Sequence, residues 1–215
     1  MNNIREQIND LLKQQTELQV NYKESNICIY GKYHYSLKHN DVILDGVKDI
    51  KVEMDYEYPI SIPKVYIFNL KEELEHVYKD NSICLATVGE ILQYLIDKPS
   101  ISEFLNRFLD PFIFSADWHL KYGVFPFGER KHGYEGLLSY YTEEWGLTKE
   151  QYIKMVFLIY HNKYKGHLPC FCNSGFKLRN CHGRYILPIV KNQKLRNTFL
   201  IESIMILNKD GKEYG

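Results

Sequence analysis

An α+β fold is predicted for this chain of 215 residues, with helices and an antiparallel sheet in different parts of the sequence. Three observations support this prediction. Apolar residues recur at helical spacing near the N-terminus, β-branched and aromatic residues dominate segments between residues 27 and 68, and helical spacing returns after residue 100. Hydrophobic residues make up 45% of the chain, which is enough for a packed core.

The first element is predicted to be an amphipathic helix of roughly four turns. Its apolar positions are Ile4, Ile8, Leu11, Leu12 and Leu18. Such a helix needs a partner surface, so it should pack on the elements that follow it.

A meander of antiparallel strands is predicted next. The candidate strands are Ile27 to Tyr35, Val42 to Leu44, Val47 to Tyr56, and Lys64 to Phe68. Asp45-Gly46 predicts a tight hairpin turn between two of them. Alternating apolar residues from Ile50 to Tyr56 indicate one buried face.

Residues 69–87 follow neither period and predict a long ordered loop, a kind of segment that is usually functional. Ser100 and Glu103 have the spacing of a capping box, so a buried helix is predicted to start there and to be kinked or ended at Pro111. Cys84 would then lie between the sheet and this helix.

The C-terminal half is predicted to be helical. Residues 117–133 carry the Gly and Pro residues of a connecting segment, and a helix follows over residues 134–141. Thr148 and Gln151 cap another helix. Residues 185–207 are predicted to be mostly helical despite Pro188.

Charge is distributed unevenly although the formal net charge is zero. Residues 1–149 hold 16 basic and 23 acidic residues, whereas residues 150–215 hold 11 and 4. An acidic protein partner or self-contact is favoured over nucleic acid. The N-terminus lacks a secretory apolar segment and no run is long enough to span a bilayer, so we expect a cytoplasmic protein with no membrane association.

Three cysteines and a histidine form a candidate metal site. Cys170, Cys172, Cys181 and His182 have the spacing Cys-x-Cys-x8-Cys-His. Three thiolates and one imidazole are the ligand set of a closed, structural Zn²⁺ site. His167 is the alternative to His182, and free thiols in a reducing compartment are the alternative to a metal. The pattern resembles the small SEC-C zinc motif.

Cys84 is the candidate nucleophile. A thiolate can accept an acyl group and release it again without a cofactor. The alternative is that Cys84 is a small buried apolar residue, as an isolated cysteine usually is. Packing alone is sufficient to explain Cys28.

Two short motifs resemble ubiquitin-conjugating enzymes. Tyr58-Pro59…Pro63 is similar to the Tyr-Pro…Pro element that ends the sheet of these enzymes. Residues 81–85, Asn-Ser-Ile-Cys-Leu, are similar to the Gly-Ser-Ile-Cys-Leu motif of the family. The resemblance covers about residues 1–115 and implies their fold, with Cys84 as the thioester-forming residue. The family's His-Pro-Asn tripeptide is missing, and His76 occupies the place of its asparagine. His76 would support an oxyanion or accept a proton, or would instead pair with nearby glutamates.

A third segment resembles bacterial relatives of these enzymes. Residues 128–136 are similar to the segment after the fold core in relatives from CBASS-type antiphage operons, which also encode a cGAS-like nucleotidyltransferase. The resemblance implies a role in antiviral defence. A structural hydrogen bond is the favoured role of His132, and a base near the thioester is the other.

The hypothesis is therefore a ubiquitin-conjugating-like domain over residues 1–147 and a helical, SEC-C-like zinc region over residues 148–215. Cys84 would take the activated C-terminus of a ubiquitin-like protein or a cGAS-like nucleotidyltransferase and pass it to an amine. A separate activating enzyme is possible, since no Gly-rich nucleotide loop is present. Two alternatives stay open: a cysteine peptidase or deconjugase using Cys84, His132 and Asp117, and a noncatalytic zinc module that binds nucleic acid or protein.

Overall fold

The computed structural model describes residues 4–70, 76–128, 131 and 133–213, with side chains to residue 208. The α+β class is confirmed, because a four-stranded antiparallel sheet is combined with helices. The chain forms two compact units, Met1–Ala86 with Tyr94–Glu129 and Thr87–Gln93 with Arg130–Gly215. Compactness does not test independent folding, so the domain division at residue 147 stays a prediction.

The first unit begins with helix α1, Ile4–Gln14, which buries Ile8 and Leu11. The predicted helix was too long, because Leu18 starts strand β1, Leu18–Tyr22. Leu18 pairs with Gly31, whose φ of +131° and missing Cβ let the carbonyl oxygen of Glu17 come close. Pairing with a distant strand therefore overrides the helical spacing of Leu18.

An antiparallel meander is confirmed, in the order β1-β2-β3-β4, where β2 is Ile27–His39, β3 is Val42–Met54 and β4 is Lys64–Ile67. Strand β1 was not predicted, and the two strands predicted between Val42 and Tyr56 are the single strand β3. The predicted turn at Asp45-Gly46 is wrong. The chain reverses at Asn40 and Asp41, with φ values of 46° and 63°, and Gly46 pairs with Tyr35 within the ladder. A Cβ on Gly46 would lie 3.0 Å from a Tyr35 ring carbon, so this glycine accommodates a ring instead of a turn.

A long helical segment packs on the sheet. It comprises α3 (Ile101–Phe104), a π-helical turn (Leu105–Leu109) and α4 (Asp110–Tyr122). The Ser100 side chain accepts the N–H of Glu103, which confirms the predicted helix start. Pro111 does not end the helix, because the π turn places this residue in the first turn of α4, where no backbone N–H is needed. Residues 117–122 are consequently helical and not a connecting segment.

The second unit is helical. Its elements are α5 (Gly133–Ser139), a π-helical turn (Tyr140–Glu144), α6 (Lys149–Tyr160), α7 (Gly183–Lys191) and α8 (Gln193–Glu213). The Thr148–Gln151 capping box is confirmed at the start of α6, and Pro188 lies inside α7 as predicted. Helix α2, Val88–Asp97, was not predicted; its first residues belong to this unit and its last to the first unit.

Each unit has its own packed interior. In the first unit Ile29, Val52, Phe104 and Phe114 are almost fully buried. In the second unit Tyr141 stacks on Tyr152 and meets Phe199 edge-on. Among the described residues, no helix is both long enough and apolar enough to cross a membrane.

Candidate thiol site and candidate metal centre

Cys84 follows a tight loop that is fixed by backbone hydrogen bonds. Val77 and Ile83 form an isolated antiparallel bridge, and the N–H of Tyr78 donates to the carbonyl of Ser82 at 2.8 Å. The N–H of Ile83 donates to the carbonyl of Val65 at 2.8 Å, which ties the loop to β4. The residue before the thiol is thus held by the sheet.

The tip of this loop is held by Asp80. One carboxylate oxygen accepts both the N–H and the hydroxyl of Ser82, and the other lies 2.7 Å from the ammonium of Lys64. The hydrogen bond from Lys64, and to a lesser extent those from Ser82, hold the pKa of Asp80 well below its ordinary value. Asn81 turns the chain with a φ of 64°, a conformation that asparagine tolerates.

The Cys84 side chain is half-buried and has a hydroxyl donor beside it. The phenol of Tyr78 donates to Cys84 Sγ at 3.1 Å. Burial of the phenolic oxygen and this hydrogen bond raise the pKa of Tyr78, so the phenol stays a protonated donor. The thiolate is the form of cysteine that attacks a carbonyl carbon, and the Tyr78 hydroxyl lies where it can donate to that sulfur. Cys28, by contrast, is buried, and burial raises its thiol pKa.

His76 is brought next to Cys84 through the backbone. Its carbonyl accepts the N–H of Cys84 at 2.7 Å, while its ring meets the edge of Phe112 with the centroids 6.5 Å apart. The predicted catalytic role of the imidazole stays a prediction. His132, and the residues 129 and 130 before it, lie outside the described part of the chain.

Asp117, the carboxylate of the peptidase alternative, is engaged with the sheet. One oxygen lies 2.6 Å from the ammonium of Lys48, and the other accepts the phenol of Tyr35. These partners give Asp117 a role in attaching α4 to the β2–β3 hairpin. Its use as the third member of a catalytic triad stays a prediction.

The four predicted metal ligands lie together. One ligand atom from each of Cys170, Cys172, Cys181 and His182 falls within 4.8 Å of the others. His182 Nδ1 is 3.3 Å from the sulfurs of Cys170 and Cys181, and the sulfurs of Cys172 and Cys181 are 3.5 Å apart. This cluster could hold a metal ion. The alternative ligand His167 is exposed and does not belong to the cluster.

These spacings fit a tetrahedral ion. Zn–S bonds of about 2.3 Å and Zn–N bonds of about 2.0 Å place ligand atoms roughly 3.5–3.8 Å apart, so a small inward or outward adjustment is sufficient. His182 Nε2 lies 2.9 Å from the carbonyl oxygen of Trp145. With the proton on Nε2, the ring donates to that carbonyl and Nδ1 is left free to bind a metal.

The chain around the cluster forms a short ribbon of two antiparallel segments. The N–H of Cys170 donates to the carbonyl oxygen of Phe176 at 2.8 Å. Between these residues the chain turns through Asn173 and Gly175, with φ values of 61° and 80°. Burial raises the pKa of Cys170 to about 11. Burial also acts to raise that of Cys172, but hydrogen bonds from Ser174 and neighbouring thiols outweigh it and lower the pKa to about 6. An anionic sulfur is thereby already favoured at the turn.

Sequence reasoning missed three parts of these sites. The Tyr78 hydroxyl lies six positions before Cys84, but no local pattern indicates that it reaches the sulfur. The Trp145 carbonyl lies 37 positions before His182 and any residue type could supply it. The hydroxyl of Ser174 lies 3.1 Å from Cys172 Sγ, and no local pattern indicated this contact.

No protein-family model matches this chain, and no curated protein matches it. Function therefore has to be argued from the two sites. One provides a half-buried thiol with a hydroxyl donor, a geometry suited to acyl transfer. The other provides a closed set of soft ligands with no position left for substrate, a geometry suited to a structural ion.

Proposed function

We propose that this protein is a ubiquitin-conjugating-like acyl carrier in which Cys84 forms a thioester. The observation that carries the proposal is the hydroxyl of Tyr78 on the sulfur of Cys84, a half-buried thiol at the end of a braced loop. The order of helix, antiparallel meander, loop, cysteine and helix agrees with the ubiquitin-conjugating fold, which we propose for the first unit.

The chemistry requires no cofactor. The thiolate of Cys84 attacks the carbonyl carbon of a donor thioester, a new S–C bond forms, and the donor's former thiolate leaves. A lysine amine then attacks the same carbonyl, loses a proton, and releases the Cys84 thiolate. Tyr78 would stabilise that thiolate by its hydrogen bond, and the His76 imidazole is proposed as the group that supports the oxyanion or the amine.

The partner implied by this chemistry is a protein with an activated C-terminus. On the resemblance of residues 128–136, the proposed donor is a ubiquitin-like protein or a cGAS-like nucleotidyltransferase, and the setting is bacterial antiviral defence. An activating enzyme would be a separate chain or would be bypassed by another route to Cys84.

The metal of the four-ligand cluster is proposed to be Zn²⁺ with a structural role. Three sulfurs and one imidazole nitrogen are the donors that zinc prefers in closed tetrahedral sites. Cys170, Cys172, Cys181 and His182 would hold the ion, which would stabilise a segment too small to bury a core of its own.

The decisive experiment is intact-mass analysis of the protein isolated from its host together with its neighbouring gene products. The wild type is expected to carry an acyl adduct that dithiothreitol removes. Cys84→Ser should carry an oxyester that resists dithiothreitol and yields to alkali, because an oxygen ester does not exchange with thiols.

Cys28→Ser is the matched control and should keep the adduct, since Cys28 is buried in β2. A wild type without any adduct under these conditions, or an adduct that survives in Cys84→Ala, would overturn the proposal. Hydrolysis of a supplied peptide thioester with no transfer to an amine would favour the peptidase alternative.

A further inference from the structure

We propose that the ribbon beside the metal cluster binds single-stranded nucleic acid. The ribbon is defined as residues 165–170 and 176–179. The proposal does not depend on thioester chemistry at Cys84, and it departs from the acidic protein partner that charge distribution alone favoured.

The geometry of the ribbon is fixed by backbone hydrogen bonds. The N–H of Leu178 donates to the carbonyl of Leu168 at 2.8 Å. The N–H of Arg179 donates to the carbonyl of Gly166 at 3.0 Å. Leu178 is buried beneath the ribbon and anchors it. Cys170 is also buried, whereas Lys165, His167, Leu168, Pro169, Phe176, Lys177 and Arg179 are exposed.

The sequence that contains the ribbon carries charge of one sign. From residue 151 to residue 201 there is no Asp or Glu, while nine Lys and Arg residues are present. Glu202, the acid that ends this stretch, is only 4% exposed. Within the part of the chain that the structure describes, no carboxylate pairs with Lys165, Lys177 or Arg179. Their charges are therefore available to a polyanion.

The ribbon also carries an exposed aromatic ring. Phe176 is 63% exposed on the ribbon, next to Lys177 in the sequence, and its backbone carbonyl is held by Cys170. A solvent-exposed ring is a platform on which an unpaired base stacks, whatever its identity. Leu168, on the opposite segment of the ribbon, is 46% exposed.

The composition favours nucleic acid over a protein. Six of the nine basic residues are lysines, a residue type that is depleted at protein–protein interfaces. Lysine is common where a protein neutralises phosphates.

The test is fluorescence anisotropy of the zinc-loaded full chain with labelled oligothymidylate and oligouridylate of roughly 12 nucleotides, the size range of one small binding module. With three phosphate contacts, the slope of log K against log salt is expected to be about −2, because single strands give roughly −0.7 per contact. Raising salt from about 50 to 200 mM should then weaken binding about 15-fold.

The variants separate charge from stacking. Lys177→Ala and Arg179→Ala should each weaken binding and reduce the slope by about 0.7. Phe176→Ala should weaken binding by about 5- to 150-fold at an unchanged slope, since a stacked ring carries no charge. Lys13→Ala and Phe68→Ala, which remove an exposed lysine and an exposed phenylalanine from the first unit, are the matched controls and should have no effect.

Zinc content and unfolding midpoint of each variant show that the ribbon is intact. The proposal is overturned if oligonucleotides do not bind at low salt, or if the ribbon variants bind like the controls. Polyglutamate of matched length is the second probe. If it binds as tightly as the oligonucleotides and loses affinity in Phe176→Ala, the ribbon is a site for acidic protein and the nucleic-acid assignment is wrong.

Discussion

Replacing Glu202 tests how the second unit is held together, because this carboxylate is buried on α8. One oxygen accepts the N–H of Gly89 at 2.8 Å, at the start of α2 and 113 positions earlier in the chain. The other accepts the phenol of Tyr141, which is fully buried. Glu202 therefore caps one helix and satisfies a buried hydroxyl with a single side chain.

The expected losses follow from these two bonds. Glu202→Ala leaves the Gly89 N–H and the Tyr141 hydroxyl without an acceptor, at roughly 1–3 kcal/mol each, so the free energy of unfolding should fall by about 2–6 kcal/mol. Removing a buried charge offsets part of this loss at neutral pH. Glu202→Gln keeps an acceptor for the Gly89 N–H, and its amide can donate to the Tyr141 oxygen, although the phenol proton loses its acceptor. Its free energy of unfolding should therefore fall by less than that of Glu202→Ala.

The dependence on pH has a defined sign. Burial, and to a lesser extent the charge of Glu90, raises the pKa of Glu202 above its ordinary value of 4.5, although Tyr141 and the Gly89 N–H oppose the shift. The folded state thus binds a proton more tightly than the unfolded state. The stability gained in this way is complete below about pH 4.5 and is lost as pH rises through the folded pKa. Glu202→Gln cannot titrate and lacks this loss.

The assay is urea unfolding in a Trp118→Phe background, so that fluorescence reports Trp145 of the second unit. Subtracting the Glu202→Gln stability from that of the parent at each pH cancels other titrating groups and leaves the Glu202 contribution. Glu150→Ala, at an exposed position on α6, is the control and should cost little. Equal losses at Glu150 and Glu202, or a pH-independent difference between parent and Glu202→Gln, would refute the reasoning.

Three further outcomes are expected. The purified chain should contain about one zinc ion, measured by elemental analysis. Removing the metal with a chelator should unfold the residues near position 170 and speed up hydrogen exchange there, and a metal-free chain with unchanged exchange would contradict this. Gly183→Ala should destabilise the protein by about 1–3 kcal/mol in thermal unfolding, because the added Cβ would lie 2.4 Å from the carbonyl oxygen of Leu178. Replacing glycine by alanine within a helix usually stabilises a protein, so stabilisation here would argue against this close approach. Tyr78→Phe should slow alkylation of Cys84 by iodoacetamide about 2- to 10-fold at neutral pH while leaving Cys28 unchanged, because the hydroxyl donor beside the sulfur is lost. An unchanged rate, followed by mass spectrometry, would exclude that hydrogen bond in solution.

The metal cluster was predictable because its information is local. All four ligands fall within thirteen residues, and the turn that brings them together uses residues that tolerate positive φ. The capping box of α6 is local in the same sense, with both members three positions apart. In these places the sequence pattern and the folded geometry involve the same few residues.

The errors arose where a distant partner decides the conformation. Leu18 has helical spacing, yet pairing with Gly31 makes it the first residue of a strand. Asp45-Gly46 has the composition of a hairpin turn, yet the ladder to β2 continues through it and the Tyr35 ring covers Gly46. Local propensity amounts to about 1 kcal/mol or less for most residues, which a few backbone hydrogen bonds and a buried ring exceed.

The thiol site combines both kinds of information. The motif around Cys84 is local and could be recognised, but its environment depends on the Val77–Ile83 bridge and on the bond from Ile83 to Val65 in the sheet. Because those contacts fix the loop, the Tyr78 hydroxyl is directed at the sulfur and donates to it. A cysteine in an unbraced loop would have no such neighbour, so the loop geometry, more than the presence of a cysteine, is what makes acyl transfer at Cys84 a testable proposal.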